Sequence, residues 1–81
     1  MTVTVLYFAQ AREGAGCARE TLELGDGACV SDALELLRRR HPALEPLWPH
    51  LAIAVDGELA EAASALRARS EIALLPPVSG G

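Results

Sequence analysis

The sequence contains no lysine, and the seven side chains that carry a permanent positive charge are all arginines. Schiff-base chemistry is therefore excluded on this chain, and no internal side chain can accept an isopeptide bond. Aromatics are nearly as scarce: Tyr7, Phe8 and Trp48 are the whole set, too little to line a deep cofactor pocket. Cys17 and Cys29 stand twelve positions apart with no CxxC pair, a spacing that fits neither a zinc site nor a disulfide framework. A reducing cytoplasm is the natural setting for such thiols. There is no charged segment followed by an apolar leader, and no apolar run nears the ~20 residues of a membrane span. The net charge of −4 disfavours nucleic acid, whose phosphates need clustered positive charge. The one basic run, Arg38-Arg39-Arg40, fans around a helix and complements its C-terminal end.

What remains is a chain of 81 residues, 51% of them hydrophobic and most of those Ala, Leu and Val, enough for one small domain. Val3, Val5 and Tyr7 alternate with Thr2, Thr4, Leu6 and Phe8, a period-2 pattern that predicts a strand. Gly14 and Gly16 interrupt the chain, and Arg19 to Leu24 alternates again up to the Gly25-Asp26-Gly27 turn. The two strands are expected to form a hairpin with a longer loop. Val30, Ala33, Leu34 and Leu37 then follow helical spacing, with either Cys29 or Ser31 as N-cap and His41-Pro42 as the stop.

Pro42, Pro46 and Pro49 imply an irregular connection. Leu51, Ile53 and Val55 resume the strand pattern, and Asp56-Gly57 is a two-residue hairpin turn leading into a short strand at 58–60. Residues 61–70 stay open between a helical turn and a loop from which Leu66 plugs the core. Glu71 to Leu75 is the last strand, ended by Pro76-Pro77. One helix across one sheet makes an α+β, two-layer domain, with residues 1–75 as the body and 76–81 as a tail.

The tail reads Pro76-Pro77-Val78-Ser79-Gly80-Gly81. Glycine lacks a Cβ and threads constrictions closed to other residues, and six extended residues reach ~20 Å. Such a tail can place the carboxylate of Gly81 inside a partner's pocket while the body docks outside. The alternative is an ordinary frayed terminus. With an ordinary pKa of about 3.3–3.7, the α-carboxyl is ionised and a poor acyl electrophile. It needs activation, most simply by adenylation, before sulfur can displace the leaving group. His41 and His50, expected on the surface, have no shared metal geometry, and no Ser-His-Asp, Cys-His or paired-carboxylate set stands out. No metal site is expected.

Leu6-Tyr7-Phe8-Ala9-Gln10-Ala11-Arg12-Glu13 and Glu71-Ile72-Ala73-Leu74-Leu75-Pro76-Pro77-Val78-Ser79-Gly80-Gly81 resemble the molybdopterin synthase small subunit family, called MoaD. The resemblance implies a ubiquitin-like β-grasp fold with a mixed sheet. It also implies a sulfur carrier for molybdenum cofactor biosynthesis, without a catalytic centre or permanently bound cofactor of its own. By this resemblance an E1-like adenylyltransferase, using ATP and magnesium, adenylates Gly81, and a persulfide donor supplies sulfur. The thiocarboxylate then serves cyclic pyranopterin monophosphate on a large subunit, in a heterotetramer. The family's docking surface falls on Phe8, Leu59 and Leu75, for each of which an ordinary core position is the competing reading. Carriers for thiamin thiazole or tRNA thiolation, and ubiquitin-like protein modifiers, share these features. The chain departs from the family pattern at Asp56, where Asn is frequent. It departs again at Arg67-Ala68-Arg69-Ser70, where an Asp-Gly-Asp-type turn is common.

Overall fold

Alternation of apolar residues sets the strands, and their partners follow from it. The computed structural model describes residues 1–77, in the order β1 (Thr2–Tyr7), α1 (Gln10–Ala15), β2 (Arg19–Glu23), α2 (Val30–Arg40), a 3₁₀ segment (Pro42–His50), β3 (Ala52–Val55), β4 (Glu58–Leu59) and β5 (Glu71–Leu75). The five strands form one mixed sheet in the order β2-β1-β5-β3-β4. Its centre is a parallel pair, β1 with β5, and the other pairings are antiparallel. Val3, Val5, Tyr7, Leu22, Ile72 and Leu74 fill one face and pack with Val30, Ala33 and Leu37 of α2. This is the two-layer arrangement expected from the sequence, and the β-grasp architecture that the resemblance implied. No helix among the described residues is long and apolar enough to cross a membrane.

Cys29, not Ser31, precedes the first turn of α2. Asp32 reaches back so that its carboxylate accepts from the Cys29 N–H at 2.9 Å, half of a capping box. That bond and a second from the Cys29 thiol hold the Asp32 carboxyl below its ordinary pKa. His41 ends the helix, its N–H donating to the Leu37 carbonyl, because Pro42 cannot extend the ladder. Asp56 and Gly57 both have positive φ, 50° and 86°, as a type I′ hairpin turn requires. The Asp56 carboxylate also accepts from the Glu71 N–H at 2.9 Å, tying this turn to the start of β5.

Three expectations need correction. The interval between β1 and β2 is not only a loop, because it contains α1. The proline-rich stretch is not irregular: Pro42–His50 winds as a 3₁₀ segment, which tolerates proline in its first turn and inserts Leu44 and Trp48 into the core. The short strand ends at Leu59 rather than at residue 60. Residues 61–70 form a loop that does plug the core with Leu66, and an isolated bridge joins Cys29 to Ala65. Its last turn, Arg67 to Ser70, closes with Ser70 N–H donating to the Arg67 carbonyl at 3.0 Å. Arg69 there takes φ 68°, a conformation glycine adopts at no steric cost.

Candidate functional site

Among the described residues, no second layer covers the face of the sheet turned away from α2. On it the register aligns one row across four strands: Leu6 with Ala73, Ala73 with Ala54, and Ala54 with Leu59. The row ends in Leu59, 80% exposed. By the same alternation Leu75, opposite Ala52, shares this face. Towards β2 the face turns polar, through Thr4, Thr21, Thr2 and Glu23. An apolar patch bounded by polar residues on a small domain marks a contact surface.

Phe8 stands at the exit of β1, on the side opposite Val3, Val5 and Tyr7, and is 45% exposed. The backbone turns sharply after it: Ala9 has φ 48° and ψ −124°, and the Ala11 N–H donates to the Phe8 carbonyl at 3.0 Å. That is a type II′ turn with an L-residue where glycine is favoured. The turn leads straight into α1, whose Arg12 and Glu13 form one rim of an open groove of about 690 Å³. Phe8, Leu75, Pro76 and Pro77 supply its apolar lining. The tail therefore leaves from β5, held between β1 and β3, beside this groove.

Of the sequence-predicted docking residues, Phe8 and Leu75 line the same groove, and Leu59 lies at the sheet edge. Leu59 is not a core residue, and Leu75 is half-buried. Leu6, Ala73 and Ala54 were not singled out, although Leu6 shares a parity with Phe8 along β1. Pro76 and Pro77 lie where the tail was expected to begin. Val78, Ser79, Gly80 and Gly81 lie outside the described residues.

His41 overturns the expectation of a surface histidine. Its Nε2 meets the Glu20 carboxylate at 2.5 Å, and the side chain is only 13% exposed. The Tyr7 hydroxyl donates to the same carboxylate, the Tyr7 and His41 rings meet edge to face at 5.6 Å, and Arg40 sits 3.4 Å from the other Glu20 oxygen. Glu20 belongs to the inner face because it pairs with Val5, which brings it under the end of α2. Burial alone would raise the Glu20 pKa, but hydrogen bonds from Tyr7 and His41, with the charges of His41 and Arg40, bring it below the ordinary value. Burial and the bond to Glu20 drive the Tyr7 phenol far upward. The network joins α2, β1 and β2, away from the groove. Among the described residues no three His, Cys, Asp or Glu side chains gather as metal ligands would.

Comparison with known proteins gives the chain's family and fold. The ThiS family model matches residues 5–81. The chain is 41% identical over 83 residues to the molybdopterin synthase sulfur carrier subunit of Chlamydomonas reinhardtii, covering 100% of both chains. It is 39% identical to small archaeal modifier protein 1 of Haloferax volcanii, covering 91% of this chain and 94% of that one. The crystal structure of that Haloferax volcanii modifier superimposes with a TM-score of 0.91 at 35% identity, covering 100% of each chain. The fold is the ubiquitin-like β-grasp, and the chain belongs to the ThiS family.

Proposed function

We propose that this chain is the sulfur carrier subunit of a molybdopterin synthase. One observation carries the reading: the central strand β5 runs out through Pro76 and Pro77 beside an outward-facing apolar surface of Phe8, Leu75 and Leu59, and the sequence that follows ends in Gly80-Gly81. The full-length similarity to sulfur carrier subunits supports it. In this scheme an E1-like adenylyltransferase, with ATP and magnesium, converts the Gly81 carboxylate to an acyl adenylate. The terminal sulfur of a donor persulfide attacks the carbonyl carbon and AMP leaves, giving an acyl disulfide. A thiol of the donor protein then attacks the donor-side sulfur, forming a disulfide and releasing the tail as a thiocarboxylate. The body docks on a large subunit through Phe8, Leu59 and Leu75, and Pro76 to Gly81 thread into that subunit's site. There the sulfur passes to cyclic pyranopterin monophosphate. The reacting groups other than the thiocarboxylate belong to the partner.

The test is intact-mass measurement after incubation with the activating enzyme, ATP and a sulfur source. One oxygen replaced by sulfur is expected, localised to the tail, and the product should support dithiolene formation with the large subunit and the cyclic pterin. An unchanged mass with an enzyme active on another carrier overturns the reading. The likeness to small archaeal modifier protein 1 favours a second reading, a protein modifier joined through Gly81 to lysines of other proteins. It predicts a ladder of conjugates in the native host that vanishes when Gly81 is deleted.

A further inference from the structure

The complete absence of lysine finds no use in sulfur transfer or docking, yet it bears on the fate of an activated carboxyl. We infer that the chain is a one-way acyl donor: its activated C-terminus can acylate other molecules but not a second copy of itself. This rests on the proposed activation of Gly81. An acyl adenylate reacts with an amine by forming a C–N bond and breaking the C–O bond to AMP, which leaves with the bonding pair. The amine's proton goes to solvent, and no oxidant or reductant is involved. Any exposed lysine on a carrier would therefore compete with sulfur for the carbonyl, and would join carriers into chains by amide bonds.

Apart from His41 and His50, whose acyl imidazoles would be labile to water and thiol, every basic side chain is an arginine, and Arg12, Arg19, Arg38, Arg39, Arg40, Arg67 and Arg69 are all exposed. A guanidinium keeps its proton and its delocalised lone pairs at neutral pH, so it gives charge without nucleophilicity. The main-chain amine of Met1 is also engaged: it donates to the Leu24 carbonyl and lies 3.9 Å from the Asp26 carboxylate. The thiols of Cys17 and Cys29 are half-buried, and Cys29 is engaged with Ser31 and Asp32. Acylation of either thiol gives a thioester that a small thiol reverses, regenerating the carrier. The surface of the described residues thus offers charge for solubility without an amine side chain that would trap the acyl chain as an amide. Whether the acceptor is a sulfur source or a protein, each carrier is attached singly.

The decisive experiment uses the full chain with Gly81 as a C-terminal thioester made by intein cleavage, concentrated at mildly alkaline pH with a small thiol and a lysine-containing peptide. The wild type should acylate the peptide and give no thiol-resistant dimer. Arg39→Lys and Arg67→Lys should each give thiol-resistant dimers, with the amide mapped to the new lysine by peptide mass. Thiol-resistant dimers of the wild type overturn the inference. So does acylation of the peptide with neither lysine variant dimerising. Because the thioester forms without the activating enzyme, this result is separate from whether that enzyme accepts Gly81, which the intact-mass experiment reads.

Discussion

Ala9 holds a backbone conformation that an L-residue reaches only under strain, typically about 1–3 kcal/mol, and it does so between Phe8 and α1. The strain is retained because Phe8 must stop following β1 and face the groove. Ala9→Gly should therefore raise the unfolding free energy by about 1 kcal/mol, read as a shifted urea midpoint at constant slope. No shift would mean that the turn is not strained. Arg69, at φ 68°, likewise holds a left-handed conformation that favours glycine, and the residue bears its cost. At Leu59 the prediction separates binding from folding. The side chain is 80% exposed, so Leu59→Arg should leave stability within about 0.5 kcal/mol. Binding to the large subunit should weaken at least about tenfold, roughly 1.4 kcal/mol. Titration calorimetry and a denaturation curve on one preparation check both halves.

At the scale of elements, whatever is set by local pattern was legible and whatever depends on distant partners was not. The strands and α2 announce themselves through alternation and helical spacing, and Asp56-Gly57 specifies its turn chemically. By contrast, α1 has six residues and one buried side chain, Ala11, far too short to be stable from its own sequence. Gly14 reads as a breaker, but a Cβ there would meet Leu44 Cδ2 at 2.7 Å. Its place is explained by the close approach of the 3₁₀ segment, which no local pattern reveals. The Glu20 network is similar, because Tyr7, Glu20 and His41 meet only when the helix end crosses the β1–β2 pair.

The network gives the fold two pH limits of opposite sign. Glu20 has a lowered folded pKa, so its contribution is present above the ordinary carboxylate value, about 4.3, and is lost as pH falls through the folded value. Tyr7 has a raised folded pKa, so its contribution is present below about 10 and is lost as pH rises beyond that. Glu20→Gln should flatten the acid limb of a stability–pH curve, and Tyr7→Phe the alkaline limb. If both limbs keep their slopes in the variants, other groups control them.

Taken whole, the proposed function divides the labour between a body that folds and a tail that reacts. Among the described residues the buried core runs from Val3 to Leu74, so Leu75, Pro76 and Pro77 lie outside it. The Gly80-Gly81 ending and the residues Phe8, Leu59 and Leu75 could be named from the sequence, but not how the sheet joins that surface. The Leu6–Ala73–Ala54–Leu59 row exists only through pairing of strands distant in sequence. Adding one residue after Gly81, resistant to trimming, should therefore leave the unfolding free energy within about 0.5 kcal/mol. It should nevertheless abolish conversion to the thiocarboxylate, because the carboxyl is displaced by a whole residue, about 3.3–3.6 Å, and carries a Cβ unless that residue is glycine. The large subunit should still bind the extended chain, since the contact residues Phe8, Leu59 and Leu75 are untouched. Intact mass, calorimetry and denaturation on that one variant read the three consequences independently. A variant that binds, folds and still accepts sulfur would show that the handle is not the end of the main chain.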